Sequence, residues 1–72
     1  MLQYLTIEGD FQTPDSISYH SFGLKVMDAD QELLSLPDIS TDAELISRLA
    51  DLFTSEQLAP IHLREVVEDV LM

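Results

Sequence analysis

The chain has 72 residues, with 14 acidic side chains against Lys25, Arg48 and Arg64, a formal net charge of −11, and no cysteine. A single domain of this length hides only about 60% of the surface its unfolded form exposes, and without thiols neither a disulfide nor a thiolate zinc site can staple it. The acidity disfavours binding to nucleic-acid phosphates and to anionic membranes, both of which recruit Lys and Arg, while an apolar content of 46% is too high for a disordered acidic tail.

Residues 2–7 are apolar and β-prone and predict a first strand, ending at Gly9-Asp10 before a polar connection that contains Pro14 and Asp15. Residues 17–27 predict a longer second strand with imperfect alternation: Ile17 and Tyr19 point one way, Phe22, Leu24 and Val26 the other, so a bulge is expected near residues 20–22. Asp28-Ala29-Asp30-Gln31 suits a hairpin turn, and residues 32–36 suit a short third strand ended by Pro37.

The first helix is expected after Ile39, with Ser40 or Thr41 as N-cap and Thr41 to Glu44 as a capping box. Ala43, Leu45, Ile46, Leu49, Ala50, Leu52 and Phe53 form a wide apolar arc, and Glu44 and Arg48 stand four apart in the favourable order. Residues 54–59 read as a connector, and Pro60 fits the first position of a second helix. There Leu63, Val66, Val67, Val70 and Leu71 form one stripe, and Arg64, Glu65, Glu68 and Asp69 lie opposite.

The expected fold is therefore α+β, β-β-β-α-α. A three-stranded antiparallel sheet is covered on one face by a two-helix hairpin, and residues 1–72 form one domain with a sheet half (1–37) and a helical half (38–72). No apolar run suits a membrane span and the N-terminus lacks the basic start and apolar stretch of a signal peptide, so a soluble, cytoplasmic protein is expected.

The constellations that carry chemistry are sparse. Asp28, Asp30 and Glu32 alternate as at the start of a calcium loop, but Leu33 and Ile39 stand where that loop needs Gly and Glu. Neither His20 nor His62 has a second histidine one helical turn away, so no metal pair is expected and each reads as a half-buried imidazole. Thiol, phosphate-loop and nucleophile-elbow motifs are missing, so neither an enzyme nor a cofactor is expected.

The second helix is the unusual segment. Glu68 and Asp69 occupy a last turn whose dipole prefers cations, and Glu65 repels Asp69 four residues on, with Arg64 to Glu68 returning part of this. A solvated helix end in an acidic protein is the plain explanation; a partner-binding surface of Ile61, His62, Arg64, Glu65, Glu68 and Asp69 is the functional one.

The runs Phe22-Gly23-Leu24, Pro37-Asp38-Ile39-Ser40-Thr41-Asp42 and Pro60-Ile61-His62-Leu63 with Glu65-Val66-Val67-Glu68-Asp69 resemble a family of short uncharacterised proteins from clostridial-type Gram-positive bacteria, over residues 21–71. Ala59, where that family carries an Asp or Ser cap, and Val70, where it carries Phe, depart from the pattern. The resemblance implies a one-domain bacterial protein and no particular chemistry.

The acidic helical surface leads to a small acidic, non-enzymatic protein-binding regulator that meets a basic partner. Its sharper form is an inhibitor imitating the charge of nucleic acid, such as an anti-defence factor. The alternative is a structural homodimer or assembly module, joined through a sheet edge or through Leu58, Ile61 and Met72.

Overall fold

The structure is a computed structural model that describes residues 1–71, so Met72, expected above in an apolar contact, lies outside the described residues. Three antiparallel strands, β1 (Leu2–Gln12), β2 (Ser18–Asp28) and β3 (Gln31–Ser40), form a sheet in that order. Helix α1 (Ala43–Glu56), a 3-10 turn (Pro60–His62) and helix α2 (Leu63–Leu71) follow. The expected β-β-β-α-α arrangement is the observed one.

β1 does not stop at Gly9-Asp10. It stays in unbroken register with β2 from Leu2 opposite Asp28 to Gln12 opposite Ser18. The reversal comes at Thr13-Pro14-Asp15-Ser16, where Ser16 N–H donates to the Thr13 carbonyl (2.9 Å) and Ser16 takes φ 66°. Pro at the second turn position and a left-handed residue after the turn are what a hairpin loop of this length requires.

Side chains alternate between the faces of the sheet. Tyr4, Leu24 and Val26 point to the helices and join Ile46, Leu49, Ala50 and Phe53 of α1 and Leu63 and Val67 of α2 in one core. Phe53 meets Tyr4 edge to face, with ring centroids 5.6 Å apart. Burying a side chain such as Leu63 contributes about 2 kcal/mol, which is how the short α2 persists.

The alternation break expected near residues 20–22 has another cause. No bulge interrupts β2 against β1; the apolar face changes instead. Around Phe22 to Val26 the apolar side faces the helices, whereas Tyr19 points to the opposite, uncovered face and stacks on Phe11 (5.9 Å). The irregularities lie in β3. Leu33 is extra between the pairs Val26–Leu34 and Met27–Glu32, and Pro37 to Ile39 oppose Gly23 alone. Pro37 therefore does not end β3: it sits in a bulge of an edge strand, where its missing N–H disrupts no ladder. Asp38 beside it adopts φ 58°.

The cap of α1 also differs. Asp42, not Ser40 or Thr41, is the N-cap: its Oδ1 accepts from Leu45 N–H at 3.2 Å, and the Ser40 hydroxyl accepts from Asp42 N–H at 3.1 Å. Ser40 is held in β3 opposite Phe22, so the helix starts later and Thr41 and Glu44 form no capping box. Glu44 instead pairs with Arg48, as expected. Residues 54–56 belong to α1, which ends at Gln57 in the left-handed conformation (φ 51°); Leu58 N–H reaches the Phe53 carbonyl (3.1 Å) and Gln57 N–H that of Thr54 (3.2 Å), a Schellman closure without glycine. Among the described residues no helix is long and apolar enough to cross a membrane.

Candidate functional site

The sequence places a partner-binding surface on the segment that starts at Pro60. Pro60 opens the 3-10 turn, and His62 N–H donates to the Ala59 carbonyl (2.9 Å), which locks the first turn without a side-chain cap. α2 continues from there and buries Leu63 and Val67, with Val66 half-buried. The expected apolar stripe is thus only partly used: Val70 and Leu71 remain 44% and 46% exposed.

Ile61, at 86% exposed, and His62, Arg64, Glu65, Glu68 and Asp69 all face solvent. The structure brings them onto one segment with no ion pair to any of them among the described residues; Arg64 does not pair with Glu68. The surface combines uncompensated carboxylates with uncovered aliphatic side chains.

A second cluster was not legible at the level of single residues. Register places His20 opposite Asp10 and diagonal to Glu8 on the helix-side face, beyond the reach of the helices. Its Nδ1 lies 2.8 Å from Asp10 Oδ1 and its Nε2 3.1 Å from Glu8 Oε2. His20 is exposed rather than half-buried, and its ring meets Phe22 edge-on at 5.2 Å. The hydrogen bond to Asp10, then that to Glu8, raise the imidazole above its ordinary 6.5, against the opposing effect of desolvation. The two carboxylates approach opposite sides of the ring and do not converge on a common point; among the described residues no group of three or more His, Asp or Glu is placed to hold a metal. The signal that would have located the cluster is the turn at Thr13 to Ser16, which fixes the pairing of Asp10 with His20.

The third feature is the junction of β1 with the end of α1. Thr54 Oγ1 accepts from Tyr4 N–H (2.9 Å), the Gln57 side chain binds both backbone groups of Leu2, and Tyr4 O–H donates to the Leu58 carbonyl (2.5 Å). Beyond it, Thr6, Ile7, Glu8, Phe22, Ala43 and Ser47 line a groove of about 330 Å³.

A small acidic α+β chain with an uncompensated second helix is the kind of protein these features define. The chain belongs to a family of unknown function, DUF6514, whose model matches residues 1–72 and so includes β1, which lies outside the resembling residues 21–71. No curated protein and no solved structure matches it.

Proposed function

We propose that this chain is a small non-enzymatic regulator that binds a basic protein through α2, in the cytoplasm of a clostridial-type bacterium. The carrying observation is the exposed set Glu65, Glu68 and Asp69, without ion pairs among the described residues, beside the uncovered Ile61, Val70 and Leu71. Glu68 and Asp69 oppose their own helix dipole, and Glu65, favourably placed in the first turn, repels Asp69 four residues on; a cationic partner reverses that local cost. The apolar side chains supply contact area that charge alone does not.

In its sharper form the partner is a nucleic-acid-binding protein and the acids occupy phosphate positions. Capture from native lysate, repeated with Glu65, Glu68 and Asp69 changed to Lys, tests both forms. A basic nucleic-acid-binding protein lost on reversal and released steeply by salt supports the mimic; a salt-insensitive complex excludes it. The homodimer reading is favoured by one observation, the half-buried Leu5, Ile7, Phe11, Tyr19 and Met27 on the sheet face away from the helices. Sedimentation as a monomer at high concentration would exclude it.

A further inference from the structure

β1 is an edge strand whose outer edge is only half closed. Backbone groups alternate in direction along a strand, and in β1 the outward ones belong to even-numbered residues, as the bonds of Leu2 to the Gln57 side chain and of Tyr4 to that of Thr54 establish. The Gln57 amide makes both bonds that a neighbouring strand would make to Leu2: Oε1 accepts from its N–H (2.9 Å) and Nε2 donates to its carbonyl (2.8 Å). The Thr54 hydroxyl treats Tyr4 the same way, at 2.9 and 3.4 Å. Past Tyr4 this imitation of a strand ends. Thr6, Glu8 and Asp10 are exposed, and among the described residues nothing bonds to their outward N–H and carbonyl groups. The groove lined by Phe22 and by Ala43 and Ser47 of α1 runs beside this stretch.

We infer that the open edge from Thr6 to Asp10 accepts an extended basic segment of a partner protein as a fourth strand. Main-chain hydrogen bonds would supply the affinity, and the groove over Phe22 would take an apolar side chain at an alternate position. Charge selects the occupant. Glu8 and Asp10 flank the edge, and a protonated His20 between them still leaves the strip net negative. A second copy pairing there sets these carboxylates against acidic residues of another chain of net charge −11, an arrangement that edge strands use to prevent self-pairing. Alternating Lys or Arg on an incoming strand reverses that repulsion. The surface is separate from α2 and shares with the reading above only the basic character of the partner.

Titrating isotope-labelled protein at low salt with a short peptide alternating lysine and valine tests this. Two further versions of the peptide are N-methylated, one along each strand edge. The unmodified peptide should shift and protect the amides of Thr6, Glu8 and Asp10. At least one methylated version should bind about tenfold or more weakly, as the loss of backbone hydrogen bonds predicts. The double variant Glu8→Gln, Asp10→Asn should weaken the unmodified peptide, whereas in the α2 reversal to Lys the peptide should still shift the amides of Thr6, Glu8 and Asp10. Equal binding of all three peptides, binding of none, or shifts centred on α2 would overturn the inference. Loss of lysate partners on α2 reversal reads the other proposal separately.

Discussion

At Gly23 a Cβ would lie 2.2 Å from the Leu36 carbonyl oxygen and 2.7 Å from Pro37 Cα. Both obstacles are backbone, so no rotamer change relieves them, and the β3 bulge would have to open. Gly23→Ala should therefore destabilise by about 3 kcal/mol, the upper end for an overfilled site, read as a lower urea midpoint; a change within about 0.5 kcal/mol, as at an ordinary surface site, would mean that β3 does not pack against this glycine. His20 makes a different prediction. Its folded-state pKa lies above 6.5, so its contribution is complete below that value and is lost as pH rises through the raised one. The melting temperature should fall as pH rises from below 6.5 through the raised value, and His20→Gln should reduce that slope; an unchanged slope would assign it to other groups. The acids of α2 were legible because a helix wheel alone puts them outside. The partners of His20 were not, since they depend on register.

Among the elements, the β2–β3 hairpin carries a residue against type. Asp28 pairs with Gln31, leaving Ala29 and Asp30 as the loop, and Ala29 adopts φ 54°. An L side chain in this region costs about 1–2 kcal/mol that glycine avoids, partly offset by the greater freedom of glycine in the unfolded chain. Ala29→Gly should stabilise by roughly 1 kcal/mol, seen in the urea midpoint; destabilisation would show that the methyl group has a packing role. Strand number, order and this turn were readable because they follow from short-range pattern and turn chemistry. The length of β3 was not, because whether Pro37 ends a strand depends on a bulge opposite Gly23. The start of α1 was misplaced for a similar reason: Ser40 has good capping chemistry, but its pairing in β3 hands that position to Asp42.

For the whole molecule the dominant fact is 14 acidic against three basic side chains. The ion pairs among the described residues, Met1 to Asp28, Glu44 to Arg48 and His20 to two carboxylates, are all solvent-exposed, and such pairs contribute little. Diffuse self-repulsion therefore outweighs them. Stability should rise with sodium chloride from about 0.02 to about 0.5 M, as the screening length shrinks below the spacing of surface charges. A fall would mean that the few pairs matter more than the net charge. The same salt that strengthens the fold should weaken the association proposed for α2, so the two effects separate in one titration series.

The junction of Gln57 and Thr54 with β1 bears on the order of folding. The bonds from Leu2 and Tyr4 close loops of 50 to 55 residues in a chain of 72. Such closures are entropically late and slow. The β1–β2 hairpin must therefore exist for a time with its entire outer edge bare, both on the ribosome and during refolding. During that interval the carboxylates of Glu8 and Asp10 guard it against pairing with another chain. Removing their charge should leave the finished protein soluble while increasing aggregation during refolding, a liability of the folding route that the native structure conceals.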